Sequence, residues 1–124
     1  MAAADWRAMP LEIRPLPALK LWQDVTLALV RDATPDLSAR QMAILLTVYL
    51  EPPPHTVRGL AKKLNVTKPA ITRALDSLGA LDLLSRRRDD VDRRNVIVQR
   101  TVAGLGYMDK LSELIIAAAK ETAP

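Results

Sequence analysis

The chain contains no cysteine and no phenylalanine, a single histidine and only four glycines among 124 residues. Without cysteine there is no disulfide, no thiolate metal site and no cysteine redox sensor. His55 stands without a second histidine, so the usual zinc ligand sets are missing and no metal is expected. Neither a glycine-rich phosphate loop nor the HExxH or GxSxG patterns occur, and the carboxylates are scattered or lie beside arginines, where ion pairing accounts for them. An enzyme is therefore not expected, and no cofactor. Aromatic residues are limited to Trp6, Trp22, Tyr49 and Tyr107, so the core must be aliphatic and alanine-rich, as suits helices. Apolar runs are too short for a signal peptide or a membrane span, and a soluble cytoplasmic protein without membrane contact is the expectation. A chain of this length corresponds to one domain with a modest core.

What is present is charge, placed unevenly. The net charge is +4. Between Arg58 and Arg100 there are eleven basic residues against five acidic ones, a local excess of six, which leaves the remainder of the chain at −2. Positive charge concentrated on one module is the electrostatic footprint of a polyanionic partner.

That module begins at Thr56, a good N-cap, with Val57, Leu60, Ala61 and Leu64 on one helical face. Asn65 stands at the helix end, where a left-handed conformation is required and asparagine tolerates it. Thr67 caps a second helix, and Pro69 falls in its first turn, where a missing N–H costs nothing. Ile71, Leu75 and Leu78 are read as its inner stripe, with Lys68, Ala70, Thr72, Arg73 and Asp76 outward, as a recognition helix is presented to a major groove. Two amphipathic helices joined by a turn also occur in many all-α domains. The segment after the second helix separates the two cases: Leu83 to Arg88 reads as a strand, Asp89 to Arg93 as a polar turn, and Arg94 to Gln99 as a second strand.

The remainder is helical. Met1 to Pro17 carries three prolines and no period, and is read as an extended arm in which Trp6 is either an anchor on a partner or exposed. Leu19 to about Ala33 is a first helix, with Trp22, Val25 and Leu29 at helical spacing and an apolar face broad enough for its own domain and a second subunit. After Thr34-Pro35-Asp36, Ser38 and Gln41 form a capping box ahead of Met42, Leu45, Leu46 and Tyr49. Glu51 to His55 is a stiff proline connector. Thr101 caps a final helix towards Glu121, with Leu105, Met108, Leu111, Ile115 and Ala118 as its stripe. Gly104 and Gly106 each lower helix propensity by about 1 kcal/mol and are read as a flexible junction after the second strand.

The run Asp92-Arg93-Arg94-Asn95-Val96-Ile97-Val98, ending at Thr101 and Gly104, resembles the wing signature of the MarR family of bacterial winged-helix transcription regulators. The resemblance covers about Leu37 to Gly106. Arg100 departs from it, standing where the family usually has leucine, which either loosens packing at the wing's exit or adds a phosphate contact. The resemblance implies a mainly α fold with a small β wing: a winged helix-turn-helix with N- and C-terminal dimerisation helices. Residues 1–124 then form a single winged-helix domain, with an extended arm at 1–17, dimerisation helices at 18–33 and 102–121, and a DNA-binding lobe at 37–101. The extra C-terminal helix common in the family is not read here, which implies a short member and leaves the dimer contacts open.

The function implied is a sequence-specific double-stranded-DNA-binding regulator, a repressor reading a pseudo-palindromic site as a homodimer in the bacterial cytoplasm, on the nucleoid when bound. The alternative is a winged-helix protein-interaction module that uses its basic wing on an acidic protein. On the DNA reading, Lys68, Ala70 and Arg73 contact base edges, the first and last through guanine and Ala70 through a thymine methyl. Thr67, Pro69, Thr72, Lys62 and Lys63 lie along the same surface, with the threonines and lysines as phosphate ligands. By resemblance Arg94 enters the minor groove and Asp92, two residues earlier on the same strand face, orients it, while Arg86, Arg87, Arg88 and Arg93 neutralise phosphates. Any single arginine is equally a solvated surface charge. The family also implies a small aromatic ligand between the dimer helices and the lobe, for which Trp22, Tyr49 and Tyr107 are the available rings, although core packing accounts for each.

Overall fold

The computed structural model describes residues 11–32 and 34–122. Among the described residues the elements run α1 (Pro15–Arg31), α2 (Ala39–Leu50), β1 (His55–Thr56), α3 (Val57–Leu64), α4 (Lys68–Ala80), β2 (Leu84–Arg88), β3 (Val96–Arg100) and α5 (Val102–Thr122). The expected arm at 1–17 falls largely outside them, as does Trp6. Its described end is shorter than expected, because Pro15 and Pro17 occupy the first turn of α1, where proline's fixed φ fits and its missing N–H is not needed.

Each helix start is set by a side chain next to it. Ser38 and Gln41 close a full capping box, at 3.1 Å and 2.9 Å. Thr56 accepts the Gly59 N–H at 2.9 Å, and Thr67 accepts that of Ala70 at 3.3 Å. The ends of α3 and α4 share one closure. Asn65 takes the left-handed conformation (φ 55°), so that Val66 and Asn65 donate back to Ala61 and Lys62. Asp82 (φ 56°) does the same after α4, sending Leu83 and Asp82 back to Leu78 and Gly79.

These closures set α3 against α4 over a core that includes Ile44, Leu45, Leu60, Ile71, Leu75 and Leu78. Burying each large aliphatic side chain contributes roughly 1.5–3 kcal/mol. A second contact joins α1 to α5, where Val25, Leu111 and Ala118 are buried and Lys110 pairs with Asp32 at 3.1 Å.

The sheet differs from the expected two-stranded wing. It has three antiparallel strands in the order β1-β3-β2, with His55 opposite Val98 and Leu84 opposite Arg100. A two-residue strand has no periodicity to read, and β1 straddles the end of what reads as a proline connector and the Thr56 N-cap. The second wing strand starts at Val96 rather than Arg94, because residues 92–95 form a turn closed by the Asn95 N–H on the Asp92 carbonyl.

The final helix also corrects a reading. Gly104 is not a flexible junction: a Cβ there would overlap the Tyr49 hydroxyl and the Leu83 carbonyl. It is a close-approach glycine on a buried line of Gly104, Leu111 and Ala118, spaced by seven residues. Leu105 and Ile115, placed on the stripe by spacing, lie off this line and are exposed.

Arg100 neither loosens the wing nor reaches for phosphate. Pro52 has no N–H to offer the Val48 carbonyl four residues back, and Arg100 Nε donates to that oxygen at 2.9 Å. Its Nη2 reaches the Glu51 carbonyl at 3.3 Å, which also accepts from His55 Nε2 at 3.0 Å. Arg100→Leu should orphan the Val48 oxygen and cost about 1–3 kcal/mol, read as a lower urea midpoint with an unchanged slope. Arg100→Lys should recover only part of this, and a leucine variant as stable as the parent would rule out the capping role.

Candidate nucleic-acid interface

The exposed face of α4 carries Lys68, Pro69, Thr72, Arg73 and Asp76, preceded by Thr67. Ala70 is not part of it. Its side chain is only 6 % exposed, so its methyl is not available to a thymine. The buried face is wider than the three-residue stripe read from spacing, since Ala70 and Ala74 join Ile71, Leu75 and Leu78. Small residues there let the helix pack close to its neighbours, and their exposure could not be judged from size alone.

The basic residues between Arg58 and Arg100 fall into two groups. Among the described residues Arg58, Lys62, Lys68, Arg73 and Arg93 are exposed and form no ion pair, and none of these side chains hydrogen-bonds. The others are held by protein groups. Lys63 pairs with Glu51 at 2.7 Å, a half-exposed contact worth about 0–1 kcal/mol and therefore exchangeable for a phosphate. Arg86 Nη2 meets Asp76 Oδ1 at 2.6 Å, bracing β2 against α4. This places Arg86 as a tie between helix and wing rather than as an unengaged phosphate ligand. The alternation of a strand explains why it parts from its neighbours, since successive side chains point to opposite faces. Arg87 Nη1 and Arg88 Nη1 donate to the carbonyls of Arg88 and Arg93, at 3.3 Å and 3.1 Å.

The wing turn is built around Asp92. Its Oδ1 accepts the Arg94 backbone N–H at 3.1 Å and Arg94 Nε at 3.0 Å, while Oδ2 accepts Nη2 at 3.1 Å. An aspartate opening a turn and accepting from two residues on is a local preference of the residue type; the two-pronged grip on the guanidinium adds planar geometry. Asp92 thus orients Arg94 as expected, but from within a turn and not along a strand face. Arg94 hydrogen bonds, its side chain first and its backbone second, hold the Asp92 carboxyl below the ordinary aspartate range, with a smaller contribution from the nearby charge of Arg58. The same pair raises Arg94.

Arg58 was not singled out in the sequence, nor were the Asp76–Arg86 tie and the role of Tyr49. Arg58 carried a signal, as an exposed cation in the first turn of the helix-turn-helix. The other two join residues ten or more positions apart and had none. Elsewhere, no group of three potential metal ligands occurs among the described residues, and no helix there is long and apolar enough to cross a membrane.

Comparison with known proteins gives the context. The MarR family profile matches residues 37–96. No curated protein matches the chain significantly. Among solved structures, a point mutant of MepR from S. aureus superposes with a TM-score of 0.69 at 19% identity, over 86% of this chain and 75% of that one. The transcriptional regulator BldR from Sulfolobus solfataricus gives 0.61 at 29% identity, over 86% and 73%. The transcriptional repressor CouR, solved on a 23-mer DNA duplex, gives 0.67 at 22% identity, over 84% and 70%.

Because the folded pKa of Asp92 is depressed, the wing pairing is complete above the ordinary carboxylate range and is lost as pH falls through the lowered value. Carboxyl NMR titration should therefore find Asp92 as an outlier that stays ionised to lower pH than the other aspartates, moving back towards ordinary aspartate in Arg94→Gln. The Arg94 side-chain signals should be flat between neutral pH and mild acid. A normal Asp92 titration would mean that the pair does not persist in solution.

Proposed function

Residues 37–96 form a MarR-family winged-helix module, and on that premise we propose that the protein is a homodimeric, sequence-specific double-stranded-DNA-binding transcriptional regulator. The observation that carries this reading is the partition of its cations. Lys68 and Arg73 on α4 and Lys62 on α3 are exposed without a protein partner among the described residues, while Arg94 is held at the wing tip by Asp92. Helix and wing thus offer two separated basic contacts, as needed to lay α4 in a major groove with the wing at the adjacent minor groove. The neighbour solved on a DNA duplex supports the same reading. The family is one of regulators and not of enzymes.

On this reading Lys68 and Arg73 donate to base edges. Thr72, the Thr67 hydroxyl, Lys62, Lys63, Arg87, Arg88 and Arg93 meet phosphates, with Arg58 added to that set, and Pro69 shapes the helix start between them. Arg73→Ala should weaken binding to the preferred site by about 1–3 kcal/mol and relax preference at one or two positions per half-site. Lys62→Ala should weaken all sequences alike and reduce the salt slope by about one charge. Equal, uniform losses from both changes on specific and random fragments would overturn the assignment of α4, and no binding to any duplex would leave the protein-interaction alternative.

Homodimerisation through residues 15–31 and 102–122 is part of the proposal. Leu16, Leu19, Trp22 and Ile116 are exposed along α1 and α5, Trp22 at 61 %. Beside them is an open apolar trough of about 770 Å³, lined in part by Leu11, Ile13, Leu21 and Ile115. Covering this surface with a second copy removes it from water, and two-fold symmetry then implies a pseudo-palindromic operator; repression by occluding that site is the regulatory outcome proposed. Light scattering at micromolar concentration should give twice the chain mass. A folded monomer there would overturn the dimer. An aromatic effector between dimer helices and lobe has little support, since Tyr49 is committed elsewhere.

A further inference from the structure

One phenol oxygen holds both ends of the wing. Tyr49, on α2, accepts the Thr101 backbone N–H at 3.0 Å and lies 3.0 Å from the Leu83 carbonyl and 3.2 Å from that of Thr101. Leu83 immediately precedes β2 and Thr101 immediately follows β3, so these are the two base residues of the hairpin. A phenol has one proton and its oxygen can accept, which suits one N–H and a carbonyl pair. The Tyr49 ring carries the Arg100 guanidinium at 5.7 Å from its centre, so ring and hydroxyl both face the wing base.

Thr101 extends the junction. Its hydroxyl donates to the Asp82 carbonyl at 2.6 Å, just beyond the recognition helix, and accepts the Gly104 N–H at 2.9 Å, capping α5. Gly104 has no Cβ because the Tyr49 hydroxyl occupies that space. No flexible linker therefore separates wing, α4 and α5.

We propose that Tyr49 is a positioning residue for DNA recognition, fixing the tilt of the wing and so the placement of Arg94 against the minor groove. It touches no DNA itself. The leverage comes from length: five residues at about 3.3 Å each make an arm of about 17 Å. A tilt of about 10° at the base then moves the tip by about 3 Å, the whole length of a hydrogen bond. The Arg86–Asp76 tie restrains the flank of β2 and the Arg100–Val48 bond the exit of β3, whereas the Tyr49 hydroxyl contacts the base residues of both strands at one atom.

The test is Tyr49→Phe in the full chain, which keeps the ring and removes the hydroxyl. By amide hydrogen exchange, residues 84–101 should exchange at least about tenfold faster, while Ala43 to Val48 keep their protection relative to global stability. Ile44→Val, a core change on the same helix that keeps the Tyr49 hydroxyl, should leave the wing's relative protection unaltered. The DNA arm rests on the proposed function. Specific affinity should fall about five- to tenfold with non-specific affinity unchanged, and Arg94→Ala should cost much less in the phenylalanine background than in the parent. Unchanged wing exchange overturns the inference, as does an Arg94→Ala penalty equal in both backgrounds. If the parent binds no duplex, the proposed function fails and the DNA role of Tyr49 with it, while the exchange measurement still decides whether Tyr49 fixes the wing, a loosened wing supporting this and an unchanged one overturning it.

Discussion

Because Pro52 has no N–H, the Val48 carbonyl at the end of α2 receives no donor from its own helix. A buried acceptor without a partner costs on the order of 1–3 kcal/mol, a large share of a small domain's stability. The donor comes from Arg100, the last residue of β3. That contact draws the end of the wing onto α2 and sets the Arg100 guanidinium over the Tyr49 ring. It also puts a positive charge at a helix C-terminus, where the macrodipole favours it. The proline connector, stiff but unable to satisfy the helix before it, makes the sheet's exit part of the helix's cap. His55, meeting the Glu51 carbonyl, completes the same closure and starts β1 against β3.

What could be read in the sequence divides along range. Thr56, Thr67, Ser38 with Gln41, and Asn65 act through neighbours within a few residues, and each does in the structure what its type and position implied. Asp92 gripping Arg94 belongs with them, although the turn that carries the pair reads as strand. The failures are contacts between distant segments. Gly104 looks like a weak point in a helix until Tyr49, more than fifty residues earlier, is placed beside it. Arg100 looks like one more cation of a basic wing, and Arg86 like one of three equivalent arginines. Ala70 looks outward because a methyl is compatible with either face, and only helix packing buries it.

Those failures share a consequence for electrostatics. Counted along the chain, residues 58–100 hold an excess of six positive charges, but a count does not distinguish ends that can meet a phosphate from ends already engaged. Arg100 is spent on backbone carbonyls, Arg86 on Asp76, and Arg94 shares its guanidinium with Asp92. The cations still available lie on the exposed faces of α3 and α4 and around the wing turn. Counterion release scales with the phosphates actually neutralised, so a salt dependence estimated from net charge would be too steep.

The lobe core and the α1–α5 contact are separate hydrophobic units. The first is built from α2, α3, α4 and the strands; the second has Val25, Leu111 and Ala118 as its buried residues. Two such units would ordinarily move against each other at the α1–α2 connection and the β3–α5 junction that join them. The second of these joins is fixed at Thr101, whose hydroxyl caps α5 and reaches Asp82, and whose backbone bonds Tyr49. The crossing of α5 over Tyr49 is so close that only glycine fits, and a packed contact of that kind deforms poorly. The direction of α5 is therefore set by the same atoms that set the wing. Whatever second surface α5 meets along its exposed apolar side, its orientation relative to α4 is decided inside one subunit.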